Sequence, residues 1–358
     1  MQRKINFNAG PATLPMEVLQ EAAAAVTEYN GTGMSILELP HRGKEFVAIV
    51  EESKAIVKDL CELGDDYEVL WLHGGGRQQF FMLPMNFLDK EHDDAAGYID
   101  SGHWSEEALE YATHYGDVQV LTSSKESNYS VLPAWPHTVP AQLKYVHFTS
   151  NNTIYGTQFR NIPKCNVPLV ADMSSDIFCG RMNYTNCAIF YAAVQKNLGT
   201  PGVALVAIRK DMLAMCNKEL PPMLSYAAQA RENSILNTAN VFGIYTSLLM
   251  LRWTQKKGID AIEKENKEKA NLLYDTIDKS KVFTGVVKKK ADRSMMNVCF
   301  TADSEEREKD FLKLCADNNI IGVKGHRSVG GFRVSLYNAM GLDDVTVLCD
   351  LMKTFEKI

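Results

Sequence analysis

Short apolar runs recur along the first two-thirds of the chain, separated by stretches long enough to hold a helix. They are VLWLH (69–73), AGYID (96–100), VQVLTS (118–123), YVHFTS (145–150), PLVADMS (168–174), AIFYAAV (188–194) and VALVAIR (203–209). Helical patterns alternate with them: KEFVAIVEESKAIVKDLCEL (44–63), the apolar QQFFMLPMNFL (78–88) and SEEALEYATHYG (105–116). Continuous apolar strands among amphipathic helices predict an α/β fold with a mainly parallel sheet buried on both faces. After a long helical stretch over about 240–280 the pattern changes. MMNVCFTA (295–302), a helix over 305–318 and GGFRVSLY in the 331–338 region read as a smaller α+β unit. The expected division is a large domain over 16–260 and a small domain over 1–15 and 261–358, the Pro/Gly-marked first segment packing with the small unit or bordering the site.

With 358 residues, 46% of them hydrophobic and 23% charged, the chain can bury a large core. No apolar run approaches the ~20 residues of a membrane span. MQRKINFNAGPATLP has no apolar h-region, so a cytoplasmic protein is expected. Eight scattered cysteines without a CxxC then read as free thiols, and no Cys/His spacing suggests a metal site. The balance of 38 Lys+Arg against 44 Asp+Glu, a net charge of −6, argues against nucleic acid. Against that background the basic residues His41-Arg42, Arg77 and His326-Arg327 suggest a focused site for a small polyanion. Each cluster alone is equally a solvated surface pair.

Candidate chemistry sits where apolar runs stop. Lys196 follows AIFYAAVQ and precedes Asn-Leu-Gly-Thr-Pro-Gly, so it emerges from a strand into a Gly/Pro loop. A partly desolvated lysine there has a lowered pKa and can serve as a Schiff-base amine; the alternative is a solvated strand end. His73-Gly-Gly-Gly-Arg77 links a strand to a helix, where converging amides and the helix dipole favour an anion. It matches neither a dinucleotide fingerprint nor a Walker A loop, and a plain tight turn is the other reading. Asp172 ends PLVAD at the kind of strand edge where α/β sheets hold ligands. It could pair with a protonated pyridine nitrogen, or it could cap a helix. Trp104, in Ser-Gly-His-Trp after AGYID, could stack on a planar ring or belong to the core. The order of glycine cup, aromatic, Thr153, Asp and Lys along successive strands is more informative than any one of them.

Taken together, FNAGPATLP (7–15), HRGKEF (41–46), HGGGR (73–77), SGHW (101–104), NNTIYG (151–156), ADMSSD (171–176), QKNLG (195–199), Asn237-Thr238, RSMMNV (293–298) and KGHRSVGGFRVSLYNAM (324–340) resemble the phosphoserine aminotransferase family, within the class V, fold-type-I pyridoxal-phosphate enzymes. The resemblance covers nearly the whole chain. It implies that Lys196 bonds to pyridoxal 5'-phosphate, Asp172 pairs with the ring nitrogen, Trp104 stacks on the ring and Thr153 contacts the cofactor. Gly76, Arg77 and Gln195 would hold the cofactor phosphate region. Asn237 and Thr238 would reach it from the neighbouring subunit of a homodimer with shared sites. His41, Arg42, Arg77, His326 and Arg327 would surround the substrate phosphate, and Arg333 would clamp the α-carboxylate. The implied partners are phosphorylated amino and keto acids and L-glutamate, with activity on 4-phosphohydroxythreonine left open.

Two separated cationic anchors suit a substrate bearing a carboxylate and a phosphate, because the planar fork of arginine matches both groups. Ala9 departs from relatives with a serine before this Gly-Pro, so no side-chain role is carried over to it. Rival readings are an alanine–glyoxylate-type aminotransferase, a cysteine desulfurase, with Cys179 the thiol to consider, and a phosphometabolite-binding protein without catalysis.

Overall fold

In the computed structural model, residues 3–357 are described; Met1, Gln2 and Ile358, the outermost residues of the expected small domain, lie outside them. The strands β1 (Tyr67–His73), β2 (Ala95–Asp100), β3 (Asp117–Ser123), β4 (Val146–Thr149), β5 (Leu169–Asp172), β6 (Ile189–Ala193) and β7 (Val203–Arg209) form one sheet in the order β1-β7-β6-β5-β4-β2-β3. β7 is antiparallel to both neighbours, and every other pairing is parallel. β1 to β6 therefore run the same way and deliver their C-terminal ends to one edge.

In every strand except the edge strand β3, whose residues are exposed or half-buried, alternate residues enter opposite cores. Val69 and Trp71 of β1, with Phe190 and Ala192 of β6, join the cluster that includes α1 (Met16–Thr27), α2 (Lys44–Leu60) and part of the later helix Val241–Lys257. Leu70 and Leu72, with Ile189 and Tyr191, join the cluster under α3 (Gly76–Phe87) and α4 (His103–Ala112). Burial on both faces is why these strands read as unbroken apolar runs. Each fully buried Val, Leu, Ile or Phe among them stabilises the fold by roughly 1.5–3 kcal/mol relative to exposure.

The long helical stretch is two helices, α5 (Val241–Lys257) and α6 (Ile259–Lys279). Gly258, at φ 82°, breaks them apart in a conformation that costs a Cβ-bearing residue energy. Beyond lies an antiparallel sheet of β8 (Phe283–Gly285), β9 (Asn297–Ala302) and β10 (Phe332–Ser335), packed with α6, α7 (Glu305–Asp317) and α8 (Leu342–Phe355) around a third cluster. Neither α1 nor α8 is among the helices expected from the sequence. Ile5–Asn6 pair in parallel with Ile320–Ile321, and Phe7 enters the third cluster. We propose the division at 16–260 against 1–15 and 261–358 on the strength of these separate cores; Met182 packs against both the first and the third.

The turn after β10 is fastened in two directions. Lys269 of α6, fully buried, donates to the carbonyls of Leu336, Tyr337 and Met340 at 3.0, 3.0 and 2.9 Å. Asn338 donates from its side chain to the Phe178 carbonyl at 2.9 Å and from its backbone to Asn197 Oδ1 at 3.1 Å, one residue beyond Lys196.

Candidate active site

The C-terminal edge of the large sheet opens into a cavity lined by Gly75, Gly76, Arg77, Phe80, Trp104 and Thr149, together with Asn151, Thr153, Asp172, Ser174, Ser175, Ala193, Gln195 and Lys196. The ends of β1, β2, β4, β5 and β6 contribute. β1 turns through the glycines into α3, whose N-terminus has no side-chain cap. A Cβ on Gly76 would stand 3.3 Å from Ser174 Oγ and 3.7 Å from Ala193 Cβ, so glycine keeps this wall thin.

β2 ends at the buried Asp100, which accepts from Ser105 Oγ at 3.1 Å, Ser123 Oγ at 2.6 Å and the Tyr129 hydroxyl at 3.1 Å. Those bonds fix the Ser101-Gly102 turn that starts α4 and carries Trp104. Gly102 has φ 148°, and a Cβ there would fall 2.1 Å from Asn152 Nδ2. Trp104 Nε1 and Thr149 Oγ1 are buried beside the cavity without hydrogen-bond partners among the described residues.

Asp172 closes β5 and is 5% exposed. Its Oδ1 accepts from the Ser174 amide at 2.9 Å and the Ser174 hydroxyl at 2.6 Å. Burial raises its pKa, while Ser174 and the positive charge of Lys196 oppose the rise. Lys196 follows β6, the neighbouring strand. Its amine donates to Thr153 Oγ1 at 3.2 Å, and burial lowers its pKa to about 8, with Asp172 pulling the other way and Arg333 adding to the depression. A third acid, Asp176, is fully buried and pushed up to about 7 by desolvation, against hydrogen bonds from Ser150 at 2.5 Å and Gln158 at 3.1 Å. Gly10 passes close by: a Cβ built on it would lie 3.5 Å from Lys196 Cγ. The Ala9 carbonyl accepts from the Tyr337 hydroxyl at 2.8 Å.

The cationic residues divide into groups. Arg333, on β10, is near enough to lower the pKa of Lys196, and its Nε is buried with no hydrogen-bond partner among the described residues. Arg77 lines the cavity with its guanidinium carbon 5.5 Å from the Trp104 ring centroid, yet its Nε and Nη2 are held by Glu107 at 2.5 and 3.1 Å. His326 Nδ1 is 2.7 Å from Ser328 Oγ, and its ring centroid is 5.9 Å from that of His103. Burial, then Arg333, His103 and Arg327, lower the His326 pKa. Arg327 is exposed.

Of the predicted site residues, His41, Arg42, Asn237, Thr238, His326, Arg327 and Arg333 do not line the cavity. Arg42 donates to the Leu236 carbonyl at 3.2 Å, and Asn237 Nδ2 is 3.2 Å from His73 Nε2. Thr238 is exposed, and His41 Nε2 is buried without a partner among the described residues.

Several lining or neighbouring groups carry no role assigned from the sequence, although Asn151, Ser174, Ser175 and His103 lie within its motifs: Thr149, Asn151, Ser174, Ser175, Phe80, His103 and Glu107. The Ser174 amide bond to Asp172 is an Asx-turn, a habit of Asp side chains in loops. Cys179 is 1% exposed and receives a hydrogen bond from Gln158 at 3.5 Å, and burial raises its pKa. A buried, protonated thiol is the opposite of the mobile thiolate that a desulfurase requires. Among the described residues no group of three His, Cys, Asp or Glu side chains could hold a metal ion.

Residues 5–348 match the family described as aminotransferase class-V. The chain belongs to the class-V aminotransferases. Similar members of this family include a phosphoserine aminotransferase from Phocaeicola vulgatus, 43% identical over 359 residues that cover 99% of each chain. One from Bacillus cereus is 42% identical with the same coverage. Among solved class-V structures, phosphoserine aminotransferase from Bacillus circulans subsp. alkalophilus gives a TM-score of 0.96 at 41% identity, over 100% of this chain and 99% of that one.

Pyridoxal phosphate, the cofactor implied for such a class-V site, carries a flat ring, a protonatable ring nitrogen and a phosphate. The residues fit it on three counts. The half-buried Trp104 presents an indole at the cavity wall, the uncapped N-terminus of α3 offers amides to an anion, and Asp172 is a buried carboxylate whose Oδ2 accepts no hydrogen bond among the described residues. A buried carboxylate of that kind is stabilised by a cationic N–H donor.

Proposed function

We propose that this class-V aminotransferase transfers the amino group of L-glutamate to 3-phosphooxypyruvate, giving O-phospho-L-serine and 2-oxoglutarate in a ping-pong cycle that serves serine biosynthesis in the cytoplasm. Relatives named phosphoserine aminotransferase, 43% and 42% identical along their whole length, support this substrate pair. Pyridoxal 5'-phosphate is the cofactor; a solved phosphoserine aminotransferase from Trichomonas vaginalis that is described as PLP-bound is 32% identical with a TM-score of 0.92. When bound, that cofactor supplies an electron sink for negative charge at the substrate α-carbon.

Lys196 acts as the proton carrier. Its depressed pKa of about 8 leaves a usable neutral fraction near pH 7, so the amine can take the α-proton and later return a proton. Thr153 orients the amine. Asp172, oriented by Ser174, holds the ring-nitrogen proton, and Trp104 covers the ring. Gly76, Arg77 and Gln195 hold the cofactor phosphate region. The observation that carries the substrate reading is the Arg333 guanidinium, unpartnered at its buried Nε beside Lys196: it suits an α-carboxylate, which donor and acceptor share. His41, Arg42, Arg77, His326 and Arg327 form the second anchor, for phosphate or for the γ-carboxylate of glutamate.

The active unit is a homodimer, with Asn237 and Thr238 reaching the neighbouring subunit's cofactor phosphate. The separation of the His41–Arg42 and Asn237–Thr238 patch from the cavity supports this reading, as does the apolar exposure of Met34 (38%) and Leu37 (60%) just before His41.

Titrating the holoenzyme with O-phospho-L-serine, with L-serine as control, tests the assignment through the visible cofactor band and the 3-phosphooxypyruvate released. The phosphorylated amino acid alone should bleach the band. Equal responses to both, or to neither, would send the substrate assignment elsewhere.

A further inference from the structure

Arg77 stands at the cavity mouth with its side chain 63% exposed, while its partner Glu107 is only 17% exposed. The Nε–Nη2 edge of the guanidinium is fully used by the two oxygens of Glu107, at 2.5 and 3.1 Å. That side-on edge is one of the two with which a guanidinium can grip an oxyanion in two places at once; the end-on pair of Nη1 and Nη2 stays open. Glu107 also reaches further into the cluster. Its Oε2 is 3.8 Å from His103 Nε2, one turn earlier on α4, and His103 sits 5.0 Å from the Trp104 ring and 5.9 Å from the His326 ring. One carboxylate thus faces both the Arg77 guanidinium and the His103 ring at the place where an anion would enter.

We propose that Glu107 is a specificity-determining residue that competes with the substrate phosphate for Arg77. The proposal rests on the reading above. To take a side-on grip, Arg77 must leave Glu107; an anion held end-on by Nη1 and Nη2 sits beside a negative charge. Coulomb repulsion scales with the charge of the visitor. A phosphate monoester carries about −1.5 to −2 at pH 7, whereas the γ-carboxylate of glutamate carries a single charge, so Glu107 weakens the phosphate end more than the carboxylate end. The site must serve both substrates alternately. Without this counterweight the phosphate would dominate it, and inorganic phosphate would become a strong inhibitor.

The test uses holoenzyme of wild type, Glu107→Gln, Arg77→Ala and the double variant. Calorimetric Kd for inorganic phosphate is measured alongside KM for O-phospho-L-serine and for L-glutamate. Removing the repulsion and freeing Arg77 should lower the phosphate Kd and the phosphoserine KM roughly five-fold in Glu107→Gln, with KM for glutamate moving less than about two-fold. In the Arg77→Ala background the same change should alter the phosphate Kd less than about two-fold, because the contested partner is gone. An unchanged or raised phosphate Kd in Glu107→Gln overturns the proposal, the latter meaning that Glu107 only orients Arg77. An equal gain without Arg77 also overturns it. If wild type turns over phosphoserine while these results appear, only the competition falls; if wild type ignores phosphoserine, the substrate reading and the competition fall together.

Discussion

The amine of Lys196 rests 3.2 Å from the hydroxyl of Thr153 and makes no hydrogen bond to the carboxylate of Asp172, whose Oδ1 is instead taken up by Ser174. The two charged groups therefore face one cavity from adjacent strands without cancelling each other. Each keeps a function that a direct ion pair would block: the amine can lose its proton, and the acid can receive a different cation.

Replacing Lys196 by Ala should abolish turnover while cofactor is still retained non-covalently, which absorption after gel filtration would reveal; substantial residual activity would remove Lys196 from its role. The cofactor-free protein offers a second readout. Lys196 has a folded pKa of about 8 against an ordinary 10.5, so the unfolded chain binds more protons between these values and stability rises with pH across them. Lys196→Met should accordingly raise the melting temperature by about 2 °C or more at pH 7. The gain should shrink as pH climbs from about 8 towards 10.5.

Asp172→Asn keeps the shape and most of the Ser174 contact but removes the charge. We expect kcat to fall by about a hundred-fold or more, with cofactor still bound, since electron withdrawal depends on a protonated ring nitrogen. Rapid-mixing measurement of each half-reaction provides the check, and both halves should slow alike. Slowing in only one half would point to a role in substrate binding.

Arg333→Ala should raise KM for glutamate and for 3-phosphooxypyruvate together, by roughly thirty-fold or more, the scale of losing one partner of a buried charged contact. Steady-state kinetics with each substrate varied will show it. An effect confined to one substrate would contradict a shared carboxylate clamp.

Lys269→Met removes a fully buried donor shared by three backbone carbonyls, of which that of Tyr337 keeps the Met340 amide. The cost should be about 3 kcal/mol, visible as a melting temperature lowered by roughly 4 °C. Because the same turn carries Asn338 to Asn197, next to Lys196, activity below the melting range should fall as well. A variant as stable as wild type would mean that water replaces the lysine.

The inner strands were legible because burial on both faces leaves no polar alternation, and the chemistry stood out as polar residues ending apolar runs: Asp172 at the end of β5, Lys196 shortly after β6. Gly258 shows the limit, since a long amphipathic stretch conceals a break that a single positive φ imposes. The sequence reading has no helix over Leu342–Phe355, although Leu342, Val345, Leu348, Cys349 and Met352 recur at helical spacing and all but Leu342 are buried. Glu107 lay beyond sequence reasoning for another reason. Its partner is 30 residues away across β2, and nothing in the local composition says that Arg77 is already engaged.

The segment around Ala9–Gly10 and the turn at Tyr337–Asn338 close over Lys196 from opposite ends of the chain. On a ribosome emitting about 5–20 residues per second, the large sheet has all its strands once residue 209 is out, whereas the cover over the lysine needs the chain made past residue 338. Enclosure of the lysine therefore draws on both ends of the chain and cannot precede synthesis past residue 338.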